Sequence, residues 1–101
     1  MKIWDFLFGS KINFKELIDQ GALILDVRTP AEYRTGNIKG SMNISAEQVP
    51  ATVSDFIKMK KTIITVCRSG ARSGMAADYL RSAGVDVHNG GAWNSLQKRI
   101  V

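Results

Sequence analysis

A chain of 101 residues, 45% of them hydrophobic and 23% charged, is long enough for one core, too short for two, and too apolar for disorder. The net charge is +5, yet Lys58, Lys60 and Lys61 form the only real basic cluster and no aromatics interleave it, so no nucleic acid partner is expected and the charge is read as favouring small anions. The single cysteine cannot close an internal disulfide, which fits a reducing compartment.

Residues 1–12 read as an N-terminal apolar extension and residues 13–101 as the domain proper. Within the extension the run from Ile3 to Phe8 is short, is broken by Asp5 and precedes no small-residue cleavage site, so it is not read as a signal peptide. No segment has the length of a membrane span. The chain is therefore expected in the cytoplasm, with no membrane partner. The apolar IWDFLF stretch either packs back on the domain or offers a docking patch to a protein partner or second copy.

Asn13 with Glu16 three residues on starts a helix with Phe14, Leu17 and Ile18 on its apolar face, and Gly21 stops it. ALILDV (22–27) is a continuous apolar run of the kind buried on both faces of a sheet. Thr29, Pro30 and Glu32 repeat the capping signature, and Gly36 closes that short helix. SMNI (41–44) suits a short strand. Ser45 caps the AEQV stretch, and a helix follows from about Ala51 to Met59, with Val53, Phe56 and Ile57 inward. TIITV (62–66), rich in β-branched residues, is another buried strand. Ser73 to Ala83 reads as a helix with Met75, Ala76, Tyr79 and Leu80 on one side, and Gly84 ends it. VDV (85–87) is a last strand, a turn at Gly90-Gly91 follows, and Trp93 and Leu96 begin a final helix or coil. Strands alternating with helices indicate an α/β domain with a mainly parallel central sheet.

In such sheets ligands gather at the carboxyl ends of strands. Cys67 follows TIITV at that end, and Asp26 ends its own strand there. The stretch Cys67-Arg68-Ser69-Gly70-Ala71-Arg72-Ser73 then leads into a helix, whose free N–H groups make an anion site. A short loop with a glycine can curl its N–H groups inward as a nest. A thiol at its mouth is expected to ionise readily, helped by Arg68 and Arg72, and the thiolate is the nucleophilic form. Arg72 either binds an incoming anion or pairs with Asp26 or Glu32 to brace the loop. Arg68 faces solvent and steers anions. Asp26 and Arg28 are read as structural, because an unpaired Asp26 would repel an anionic substrate. His88 is assigned a surface or packing role. Cysteine phosphatases place an arginine six positions after the cysteine, whereas here Arg72 is five positions after Cys67; the tighter ring argues against phosphate chemistry.

Three stretches, LILDVRTPAEYRTGNIKGSMNI (23–44), TVCRSGARS (65–73) with its following helix, and GGAWNSL (90–96), lie in this order over about residues 13–96. In this combination the chain resembles a single-domain rhodanese, a sulfurtransferase family of α/β fold with helices on both faces of the sheet. The resemblance implies that the Cys67 thiolate takes sulfane sulfur from a small anionic donor such as thiosulfate and holds it as a persulfide. The loop N–H groups of Arg68, Ser69, Gly70, Ala71, Arg72 and Ser73 bind it, and cyanide or an external thiol accepts it. Neither cofactor nor metal is implied. With no second cysteine for an internal disulfide, discharge must come from outside. Asn37 stands where the family usually has histidine. Other functions for the same loop are a sulfur-carrier module loaded by a partner protein, a phosphatase or arsenate reductase on this fold, and an inactive regulatory domain, against which the retained cysteine speaks.

Overall fold

Four parallel strands in the order β2-β1-β3-β4 form the centre of the molecule. A computed structural model describes residues 12–101; the IWDFLF stretch lies outside the described residues. β1 (Leu23–Asp26) and β3 (Ile63–Cys67) are the inner strands, flanked by β2 (Met42–Asn43) and β4 (Val87–Ala92). Successive strand residues face opposite sides, and here both sides are apolar. Ile24, Ile64 and Val66 pack with Phe14, Ile38 and Leu96 beneath α1 (Phe14–Asp19) and α5 (Trp93–Ile100). On the other face Leu25, Val27 and Ile63 meet Val49, Phe56, Ala77 and Leu80. That second layer comprises a 3-10 segment (Ala46–Thr52), α3 (Val53–Met59) and α4 (Ala71–Ser82). Helices thus cover both faces, as expected.

The caps form where the spacing placed them. Asn13 accepts from the Glu16 N–H at 3.0 Å, and Gly21 adopts φ +104° just beyond α1. α2 (Pro30–Arg34) opens on a complete capping box, Thr29 and Glu32 each accepting from the other's N–H.

Four expectations need correction. Ser45 makes no side-chain cap, and AEQVPAT is one 3-10 turn after another leading into α3. Ile57 is 48% exposed, because a two-turn helix presents one narrow row to the core and Phe56 occupies it. Met75 and Tyr79 are exposed likewise; the inner row of α4 is Ser73, Ala76, Ala77 and Leu80, and the helix begins at Ala71. The last strand is not VDV but Val87–Ala92, running through the glycine pair. Asn89 pairs with Thr65 and Gly91 with Val66, leaving Gly90 as an unpaired bulge. A Cβ on Gly90 would lie 2.8 Å from Ile64 Cγ2 and 3.1 Å from Thr65 O, so glycine serves close strand approach here rather than a turn. No helix among the described residues is long and apolar enough to cross a membrane.

Candidate active site

Cys67 is the last residue of β3, and its thiol is fully buried. Only Arg68, Ser69 and Gly70 separate it from α4. So short a reversal needs a left-handed residue, and Gly70 supplies it at φ +97°. A side chain there would also press on Gly91 Cα, 3.3 Å from the position of a Cβ. The curled loop turns its donors inward. Gly70 N–H points at Cys67 Sγ at 3.0 Å, Ser73 N–H at 3.4 Å, and Ser73 Oγ lies 3.3 Å away.

Two opposing effects set the ionisation of this thiol. Burial, the larger single influence, pushes it up. Hydrogen bonds from the Ser73 hydroxyl and N–H and from the Ser69 and Gly70 N–H groups together outweigh burial, so the thiol ionises below its ordinary 9.0. These donors are the leading cause of the depression, and the Arg72 charge interacts favourably with the thiolate as well. Arg68 is exposed. Arg72 makes a two-pronged pair with Glu32, Nη1 to Oε1 at 2.8 Å and Nη2 to Oε2 at 3.0 Å. Above all through that bond, the Glu32 carboxyl is held at about 2. Of the two carboxylates open to Arg72, Glu32 is the partner.

Asp26 is instead committed to Arg28, whose Nη2 donates to Oδ2 at 2.7 Å while Nε reaches both oxygens. His88 lies 3.6 Å from Asp86, outside the donors around Sγ. Asn37 turns its amide to Tyr33 O. Among the described residues no three His, Cys, Asp or Glu side chains gather as a metal site would require. Beside the loop, a hollow of about 370 Å³ opens between the 3-10 segment and α4, walled by Val49, Pro50, Met75, Tyr79 and Arg72.

A thiol at a strand end, ringed by main-chain donors and followed at once by a helix, is an arrangement for holding an anionic sulfur. The family model described as rhodanese-like domain matches residues 10–95. The chain belongs to the rhodanese-like domain family. It is similar to a protein named sulfurtransferase from Allochromatium vinosum, 37% identical over 65 residues, which are 64% of this chain and 60% of that one. The chain thus spans about three fifths of that relative's length. Over 77 residues it is 35% identical to the thiosulfate sulfurtransferase GlpE of Pseudomonas fluorescens, covering 72% of this chain and 67% of that one. Among solved structures it superposes on the reduced Bacillus anthracis CoADR-RHD with a TM-score of 0.73 and 28% identity, over 87% of this chain and 16% of that one. For a structure described as rhodanese with anions from E. coli the TM-score is 0.67 at 26% identity, covering 73% of this chain and 89% of that one.

One residue in contact with the cysteine loop escaped the sequence reading. Asn89, on β4, bonds to Gly70 at the end of that loop and to Ser73 in the first turn of α4. Its place before the glycine pair carried the only signal, and that signal was read as the approach to a turn.

Proposed function

We propose that this chain is a sulfurtransferase that carries sulfane sulfur on Cys67 from a donor such as thiosulfate to cyanide or a thiol. The observation that carries the reading is the ring of donors from Gly70 and Ser73 around a buried thiol with a lowered pKa, on the loop of a rhodanese-like domain. The Cys67 thiolate attacks the outer sulfur of thiosulfate; the new S–S bond forms as the old one breaks, and sulfite departs with the electron pair. The charge stays on the outer sulfur of the persulfide, about 2 Å beyond Sγ. The N–H groups that now meet Sγ turn to that outer sulfur, with Arg68 through Ser73 as its cradle, and stabilise both anions in turn. A nucleophilic acceptor then removes the sulfur and returns the thiolate.

A second reading, a carrier loaded by a partner protein's persulfide, draws on Met75, 75% exposed beside Arg72 at the edge of the hollow. The lone, readily ionised thiol of either suits the reducing cytoplasm.

Intact-protein mass after thiosulfate treatment tests the first reading. The expected result is a gain of roughly 32 Da, removed by cyanide or reductant as an oxidised sulfinic acid would not be, and lost in Cys67→Ser. No gain, with Cys67 still open to alkylation, overturns thiosulfate as donor and leaves the partner-loaded carrier.

A further inference from the structure

β4 alternates sides like any strand, so Asn89 shares the face of Val87, which packs against α4. The Gly90 bulge beside it lets the strand turn there without breaking from β3. The side chain therefore arrives at the first turn of α4, against two residues with no side chain: a Cβ on Gly74 would sit 3.2 Å from Asn89 Nδ2, and one on Gly70 4.0 Å.

Its three hydrogen bonds fix which way the amide faces. Oδ1 accepts from the Ser73 hydroxyl at 2.7 Å and from the Gly91 N–H at 3.0 Å. Nδ2 donates to Gly70 O at 3.1 Å. Flipping the amide would set a donor against the Gly91 N–H and an acceptor against the Gly70 carbonyl. The two residues it grips, Gly70 and Ser73, are two of the three whose donors act on Cys67 Sγ, Ser69 being the third. The Ser73 hydroxyl has one proton to share between Asn89 and Cys67.

We propose that Asn89 is a positioning residue for the cysteine loop, holding Gly70 by its carbonyl and Ser73 by its hydroxyl so that their N–H groups stay aimed at Cys67 Sγ. It touches neither donor nor acceptor sulfur in this scheme. The importance of the clamp for sulfur transfer rests on the proposed function, but the clamp itself is readable without any sulfur compound.

The first variant is Asn89→Asp, which keeps the shape and the acceptor for Ser73 and Gly91. It replaces the donor to Gly70 O with a second acceptor and adds a negative charge at most about 6 Å from Sγ through Ser73 Oγ. Both changes disfavour the thiolate. The Cys67 titration, followed by thiolate absorbance of this single-cysteine protein, is expected to shift upward by roughly one to two pH units. The new charge would move the titration even at a purely structural position, so the Asp curve is read beside that of a neutral variant. A curve superimposable on that of the unaltered protein overturns the proposal.

Asn89→Ala adds no charge and separates the two roles. With the clamp released, the buried thiol is expected to alkylate faster at a pH where it is fully ionised, and an unchanged rate overturns the proposal. If the variant behaves as expected but the unaltered protein takes up no sulfur from thiosulfate, the clamp stands and the thiosulfate reading alone falls.

Discussion

Two arginine–carboxylate pairs stand near the carboxyl edge of the sheet, and they do different work. In the Asp26–Arg28 pair the side chains are 0% and 3% exposed; in the Glu32–Arg72 pair they are 31% and 38% exposed. The first pair is an internal hub. Arg28 donates to Asp26 from Nε and Nη2, to Glu32 O at 3.1 Å and to Gly36 O at 2.7 Å, and it stacks 4.5 Å above the Trp93 ring. Asn43 adds bonds to Asp26 O and Arg28 O. That hub joins the end of β1 to α2, β2 and α5. The second pair spans 40 residues to connect α2 with the first turn of α4, and it holds one thing, the cysteine loop. Similar chemistry thus builds the fold where it is dry and braces the site where it is wet.

Asp26→Ala is the hardest blow to this contrast. It leaves a buried guanidinium without its counter-charge, a change that costs about 3–5 kcal/mol and lowers the melting temperature by more than about 10 °C in a domain of this size. Thermal and urea denaturation followed by circular dichroism measure it. Glu32→Gln should do the reverse. Glutamine keeps the capping box with Thr29 but removes the charge facing Arg72 and the Oε2 acceptor of its Nη2, so the urea midpoint stays near that of the unaltered protein while sulfur transfer from thiosulfate to cyanide slows several-fold. If the two variants were equally destabilised, the division between a structural pair and a bracing pair would collapse. Equal transfer rates in Glu32→Gln and the unaltered protein would remove the brace and leave the hub intact.

The same division marks what was legible in the sequence. Local signals came through: the Thr29–Glu32 box, the apolar inner strands, and Cys67 at a strand end all depend on residues within a turn or two of one another. The hub was legible in outline, because an unpaired Asp26 at an anion site would be self-defeating. What stayed hidden depends on contacts distant in the chain. Gly90 reads as a turn until Ile64, on another strand, is seen within 2.8 Å of its absent Cβ. Ile57, Met75 and Tyr79 are apolar at helical spacing, but short helices laid on a sheet bury one row and leave the neighbouring row in water. The arginines beside Cys67 point to a charge effect on the thiol, and Arg72 has one, but the Ser73 hydroxyl and the loop's own N–H groups lead. Asn89 grips residues 16 and 19 positions away, and a single amide before two glycines announces nothing of that.

Acid offers the finest probe of the bracing pair. The Glu32 carboxyl has its pKa lowered from 4.5 to about 2 in the folded chain, chiefly by the Arg72 hydrogen bond and then by the Thr29 N–H. A carboxyl whose pKa falls on folding adds stability above its unfolded pKa and loses it as the pH drops through the folded one. The difference in urea midpoint between the unaltered protein and Glu32→Gln should therefore be flat above about pH 5, shrink between 4.5 and about 2, and vanish below. Subtraction cancels the remaining carboxyl groups, which titrate in both proteins. The effect is small because the pair is half in water and salt-screened, so it should also fade as ionic strength rises. A midpoint difference that ignored pH throughout this window would mean that Arg72 does not hold Glu32 in solution, and the loop would then depend on the Asn89 clamp and its own backbone for its shape.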